Sequence, residues 1–312
     1  ITAAEGSSGF YSNDASISLT FTSSESTDEF TSADVTVIGG TLTSFTGSGT
    51  TYTATFTPST EGDVVDYGGR VYKAIGVNAN AFTDSAGNGN VASDTFEWTY
   101  DVTPPTMNIT AAEGSSGFTS NDASISLTFT SGFAVDAHLQ FTSADVTVTG
   151  GGTLTSFTWM GGSTYTATLT PSIDGLQSIK VAANAFSDMA GNGNVASNTF
   201  EWTYDVTSPT MTITAAEGSS GYTSNNANIS LTFTSSIILS DFTSADVTVI
   251  GGGTLTSFKG SGTTYTATFT TSIEGLQSIK VAANTFTDSV GNGNVESNTF
   301  EWTYDVTSPT MT

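Results

Sequence analysis

The sequence predicts an all-β protein of three two-layer β-sandwich domains in tandem, arranged as an extended rod, and three observations predict it. First, the 312-residue chain repeats itself: ITAAEGSSGF at Ile1 returns at Ile109 and, as ITAAEGSSGY, at Ile213. A period of about 100 residues is too long for a solenoid unit and suits a domain that buries its own core. Second, apolar residues alternate with polar ones in short runs. Ile125, Leu127 and Phe129 point one way while Ser124, Ser126, Thr128 and Thr130 point the other, which is the period of a strand with one buried face. Third, the junctions DVTPPT at Asp101 and DVTSPT at Asp205 carry proline, which fixes its own φ and extends its predecessor, so the linkers are short and stiff.

These marks divide the chain at 1–104, 105–208 and 209–312. Residues 305–312 read as the first strand of a further repeat, so either the array continues or that strand pairs with another molecule. A start at Ile1, without methionine, reads as a piece of something longer.

Within the second and third repeats the strands follow in order. An opening run, TMTITAA in the third copy, leads to ASISLTFT, ADVTVTG, TLTSFT and TYTATLTP, then to QSIKVAAN and a closing NTFEWTYD. Each ends in Gly, Asn, Asp, Ser or Pro, as strands separated by turns do. About seven short strands per repeat, with no helical period, point to an immunoglobulin-like sandwich. Trp98, Trp202 and Trp302 recur in the closing EWTYD and read as large buried faces. Thr-Ser-Ala-Asp at Thr31, Thr142 and Thr243 has capping-box spacing but precedes a strand, so it reads as one short turn closed by its Asp.

Composition excludes several classes of function. Five basic residues face 29 acidic ones, a net charge of −24, so no positive stripe exists to bind nucleic acid. No run approaches the ~18 consecutive apolar residues of a membrane span. The chain has no cysteine, so no disulfide staples the domains. His138 is the only histidine, which removes most triads and the common metal hydrolases. The sequence reads as non-enzymatic.

The junctions DVTPPT and DVTSPT, FTSADVTVIGG at Phe30, SGTTYTATFTP at Ser48 and FTDSAGNGN at Phe82 recur in all three copies with small changes. In these features the whole chain resembles the bacterial Ig-like domains that occur in tandem arrays in large surface adhesins and exoproteins. The resemblance implies an extracellular or cell-surface spacer that holds another part away from a cell, in some members stiffened by calcium between domains.

Two sets of residues are candidates for function. In the first repeat Asp84, Asn88 and Asn90 lie in the loop DSAGNGN, Asp101 closes the last strand, and Glu113 ends the next opening strand. Asp188, Asn192, Asn194, Asp205 and Glu217 are the equivalents at the second junction. If such groups converge, the carboxylates repel unless a cation neutralises them, and an all-oxygen set suits calcium better than zinc. Turn-building by the same Asp, Asn and Gly residues is the other reading.

The second set lies where the copies differ. Glu25 and Asp28 fall in SSESTDEF, Phe133 and His138 in SGFAVDAHLQF, and Ile237, Ile238 and Leu239 in SSIILSDF. Trp159 and Met160 fall in FTWMGG and Lys259 in FKGSG, while Tyr67, Arg70 and Tyr72 fall in the long segment from Glu61. Apolar residues in loops mark contact surfaces, either for neighbouring copies end to end in a fibre or for a glycan or protein ligand. Drift with local packing explains the same differences.

Overall fold

A computed structural model describes residues 1–27, 29–59, 72–132 and 141–311. Three sandwiches follow one another, each around its own apolar core. In the second repeat one sheet runs, in spatial order, Thr153–Gly161, Thr164–Thr170, Ile125–Ser131 and Met107–Ala111, all antiparallel. The facing sheet runs Val146–Thr149, Gly175–Val181, Phe200–Tyr204 and Phe118–Ser120, and its last pair is parallel. The alternation read from sequence sets which side faces inward: Ile125, Leu127 and Phe129 are buried, as are Tyr165, Ala167 and Leu169 on the strand paired with them.

Among its described residues the second repeat has eight strands where the sequence reading gives about seven, because the opening segment holds two. Met107–Ala111 pairs in the first sheet, then the chain crosses the sandwich and Phe118–Ser120 pairs with the closing strand in the second. Two glycines permit the crossing. Gly117 has φ +91°, where a side chain is strained, and a Cβ on Gly114 would stand 2.7 Å from the Phe118 ring. Three residues are too few to show a period, so FTS is not legible as a strand in sequence.

The closing tryptophans are fully buried in all three repeats, as expected. The first aromatic of the crossed-over strand lies flat on each: Phe118 on Trp202 at 6.1 Å and 13°, Phe10 on Trp98 at 6.3 Å and 20°, Tyr222 on Trp302 at 6.3 Å and 16°. Trp202 Nε1 also donates to Ser120 Oγ at 3.1 Å, tying the same two strands. The Thr-Ser-Ala-Asp segment is a single 3-10 turn. Thr142 donates its N–H (2.7 Å) and its hydroxyl (3.0 Å) to Asp145 Oδ2, so the aspartate closes the turn. Just before it, Phe141 packs edge-on against Phe157 and Tyr165, which anchors the turn to the core.

Trp202→Ala removes the largest core side chain of the second repeat and the crossed-over strand's support. A loss of about 3–5 kcal/mol is expected from one such truncation, read as a separate early transition for one repeat in denaturant unfolding while the other two hold.

Candidate functional site at the repeat junctions

Each repeat carries a loop whose shape is fixed by one asparagine. Asn194 Oδ1 accepts from the N–H groups of Ala185 (2.8 Å) and Phe186 (3.0 Å), and its Nδ2 donates to the carbonyls of Ala182 (2.8 Å) and Val195 (2.7 Å). Asn90 and Asn294 do the same in their own repeats. An amide used at both ends satisfies the turning backbone without help from a neighbouring strand. These asparagines are therefore builders of the loop.

The loop's aspartate and second asparagine form the next layer. Asp188 accepts from Asn192 N–H (2.9 Å) and Asn192 Nδ2 (3.0 Å), and Asp84 and Asp288 hold Asn88 and Asn292 in the same way. From this position Asn192 reaches into the preceding repeat. Its Nδ2 donates to the Asp101 carbonyl at 2.8 Å, its Oδ1 accepts from Asn13 Nδ2 at 3.0 Å, and Asn13 N–H donates to the Ala190 carbonyl at 3.1 Å. The second junction repeats the pattern: Asn292 Nδ2 donates to the Asp205 carbonyl at 2.9 Å, and Asn292 Oδ1 accepts from Asn121 Nδ2 at 3.1 Å.

This corrects the grouping expected from sequence. The loop and the closing aspartate of one repeat stand at opposite ends of it, and what meets at a junction is the closing aspartate of one repeat and the loop of the next. Asp84, Asn88 and Asn90 thus line a cleft beside Ile1, away from Asp101. Glu113 is not a junction group either: both its carboxylate oxygens accept from Ser126 N–H at 2.9 and 3.0 Å, and Glu217 holds Ser230 in the same way. Among the described residues no three Asp, Glu, His or Cys side chains gather where one metal ion would be shared. The carboxylates are met by N–H donors.

Sequence reading missed two groups that grip the linkers. Asp174 accepts from Val206 N–H (2.9 Å) and the Thr207 hydroxyl (2.9 Å), and Glu274 accepts from Val306 N–H and the Thr307 hydroxyl at 3.0 and 2.6 Å. The acidic residue before Gly in DGLQ and EGLQ was the available signal. Asn13 and Asn121 were missed as well, although both sit in the repeated SND.

Of the copy-specific residues, Asp28, Tyr67, Arg70, Phe133 and His138 lie outside the described residues. Tyr72 is half-buried, and Glu25 and Lys259 are exposed. Trp159 and Met160 are exposed but belong to the strand Thr153–Gly161, and Trp159 Nε1 donates to the Gly162 carbonyl at 3.0 Å. The third-copy trio is not a loop. Asn228–Leu239 is one strand whose alternation continues, which leaves Ile238 exposed, sets Ile237 partly against the core and buries Leu239, whose carbonyl accepts from the Tyr265 hydroxyl at 2.9 Å. Leu239 is therefore a core residue and offers no docking surface.

Two sheets, a second strand that crosses from one to the other and a loop that bonds the preceding module define a protein of tandem β-sandwich repeats. A profile of the bacterial Ig-like domain matches residues 4–100, 101–204 and 205–304, and the chain belongs to that family. No curated protein sequence matches it. Similar solved structures include invasin, described as a bacterial integrin-binding protein, at 14% identity over 97% of this chain and 59% of that one, with a TM-score of 0.37. InvD of Yersinia pseudotuberculosis is 17% identical over 68% of this chain and 62% of its own, with a TM-score of 0.28. The adhesin InvE of Yersinia pseudotuberculosis is 15% identical over 66% and 60%, with a TM-score of 0.25. The chain thus spans about three-fifths of each of these.

Asp288 gives the second junction a pH signature. Burial raises the pKa of Asp288, but the Asn292 N–H and side-chain amide and the Val290 and Gly291 N–H groups outweigh it and hold the pKa below the ordinary 3.8. A depressed folded pKa means the carboxylate stabilises the fold above the unfolded value and loses that effect as pH falls through the folded one. Wild type should therefore melt above Asp288→Asn at neutral pH, and thermal melts should show the gap closing below about pH 4.

Proposed function

We propose that the three repeats are a stiff spacer in an extracellular or cell-surface protein, with no catalytic role. The observation that carries this reading is that Asn192 and Asn292 make the same bonds across both junctions, to the closing carbonyl and to the SND asparagine of the repeat before. A side chain anchored on both sides of a short linker limits bending, and the large excess of carboxylates keeps a long exposed chain soluble. The bacterial Ig-like family supports the compartment.

A second reading, recognition of a protein or glycan, is favoured by the exposed Trp159 and Met160 pair, which the second copy alone carries. Both readings are compatible with one chain, since these residues lie on a strand of the sandwich and the junction bonds come from other elements.

Small-angle scattering at high dilution tests the spacer. Wild type should give the narrow distance distribution of three domains in line, and the Asn192→Ala, Asn292→Ala double variant a broader one, with each lost hydrogen bond worth about 1 kcal/mol. A wild-type distribution as broad as the variant's would remove the reading. Calcium addition followed by chelation in the same experiment decides whether a metal contributes: a chelator-reversible narrowing would assign it, and an unchanged profile would leave the junction to hydrogen bonds alone.

A further inference from the structure

The side chains that bridge the two junctions share a second property: each is followed by glycine. Asn192 stands in Gly191-Asn192-Gly193 and Asn292 in Gly291-Asn292-Gly293. Packing and bonding hold each half of the pair in place. A Cβ on Gly193 would collide with Asn184 Oδ1, and one on Gly293 with Asn284 Oδ1, because the loop folds back on itself there. At the position before, the junction needs one group that donates to a carbonyl and accepts from an amide. A side-chain amide supplies both and a carboxylate does not.

Asparagine before glycine is chemically labile, since the next backbone nitrogen reaches the side-chain carbonyl carbon and glycine has no Cβ to hinder it. The loop leaves that nitrogen available. Ser187 and Gly193 face each other as a bridge whose flanking bonds run from Asp188 N–H to the Asn192 carbonyl and from Asn194 N–H to the Phe186 carbonyl. The Gly193 N–H belongs to neither bond. Thr287 and Gly293 repeat this in the third copy. The closed junction restrains the other reactant. Asn192 and Asn292 are 8% and 9% exposed. The Nδ2 that must leave is tied to Asp188 Oδ2 and the Asp101 carbonyl, or to Asp288 Oδ2 and the Asp205 carbonyl. Opening a junction removes the carbonyl, the amide of Asn13 or Asn121 and the cover of the preceding repeat together.

We propose that Asn192 and Asn292 are deamidation sites guarded by the junctions, so that a junction that opens and reacts does not re-form. The inference deepens the spacer reading and rests on it. The Gly193 nitrogen, having given its proton to hydroxide, bonds to Asn192 Cγ. The Cγ–Nδ2 bond breaks, and ammonia leaves with a proton taken from water, which regenerates the hydroxide and leaves a cyclic imide. Water then opens either carbonyl of that ring, giving aspartate or isoaspartate. The product carboxylate has no proton to donate to the Asp101 carbonyl and stands beside the Asp188 carboxylate, so the former bridge becomes a repulsion. Isoaspartate also routes the main chain through the former side chain, which displaces the loop. Gly293 and Asn292 do the same against Asp205 and Asp288.

Peptide mapping by mass spectrometry, on the full chain aged in mildly alkaline buffer, tests this with the exposed Asn13 and Asn121 as levers. Each touches one junction from the far side, outside the reacting loop. Asn13→Ala should speed conversion at Asn192 about fivefold, the change in open population for one ordinary hydrogen bond, and leave Asn292 as in wild type. Asn121→Ala should do the reverse. Equal rates in wild type and variants, acceleration of both sites by one variant, or conversion in the native chain as fast as in urea overturns the proposal. The Asn192→Asp, Asn292→Asp double variant supplies the product directly. Freshly made, it should give a broad distance distribution in dilute scattering, and one as narrow as that of wild type overturns the loss of stiffness. A broad distribution from fresh wild type fails the spacer reading instead, while the conversion rates, read site by site from mass, report the guarding separately.

Discussion

The constraint on which the architecture depends is the length of chain allowed between one core and the next. The last strand of a repeat ends at Tyr100 or Tyr204, and the first core side chain of its successor is Met107 or Met211. Even that interval is pinned. Asp101 N–H donates to the Ser12 carbonyl and Asp205 N–H to the Ser120 carbonyl, which keeps the start of each linker on the repeat behind it. The Pro105 and Pro209 carbonyls are held by the repeat ahead. Between these points Thr103 N–H donates to Asp101 Oδ1 and Val206 N–H to Asp174 Oδ1, so the linker is short and held along its length, and the conformational entropy lost in fixing the junction is correspondingly small.

With the linker this short, a modest polar contact is enough to choose an orientation. Asn192 and Asn292 supply it, and each is itself positioned by an aspartate in the same loop. The arrangement explains how a protein with a net charge of −24 tolerates acidic groups at its joints. The carboxylates of Asp84, Asp188 and Asp288 face inward on their own loops, where N–H groups surround them, while the carbonyls and amides do the bridging. In the first copy a lysine, Lys73, occupies the buried place of Gln177 and Gln277, with its ammonium 5.8 Å from the centre of the Tyr100 ring. The frameworks therefore tolerate change in the core as well as on the surface.

Strands were legible wherever a side-chain period could establish itself. ISLTFT and TYTATLT show it plainly, and the burial in the structure follows it residue by residue. Phe118–Ser120 escaped because its identity as a strand comes from the tryptophan it lies on, a contact made across the sandwich. Leu239 misled for the opposite reason: a run of three apolar residues looks like an exposed patch until the strand is seen to continue through it. The junction was half legible. The Asp-Asn-Gly loop stood out in sequence, but chain order placed it beside the wrong aspartate, since residues that are near in sequence on a strand-loop-strand path can end at opposite poles of a domain. Asp174 and Glu274 were hidden because an acidic residue before glycine reads as an ordinary turn.

The parallel pairing of the crossed-over strand with the closing strand carries a mechanical consequence. Tension applied along the array pulls the first part of each repeat one way and its last strand the other. Phe118–Ser120 and Phe200–Tyr204 are parallel neighbours, so that pull slides them past one another lengthwise, and their ladder bonds share the load at once where a peeled hairpin would break them singly. The flat aromatic stack of Phe118 on Trp202 resists the same sliding. A chain assembled this way is suited to bearing force along its axis.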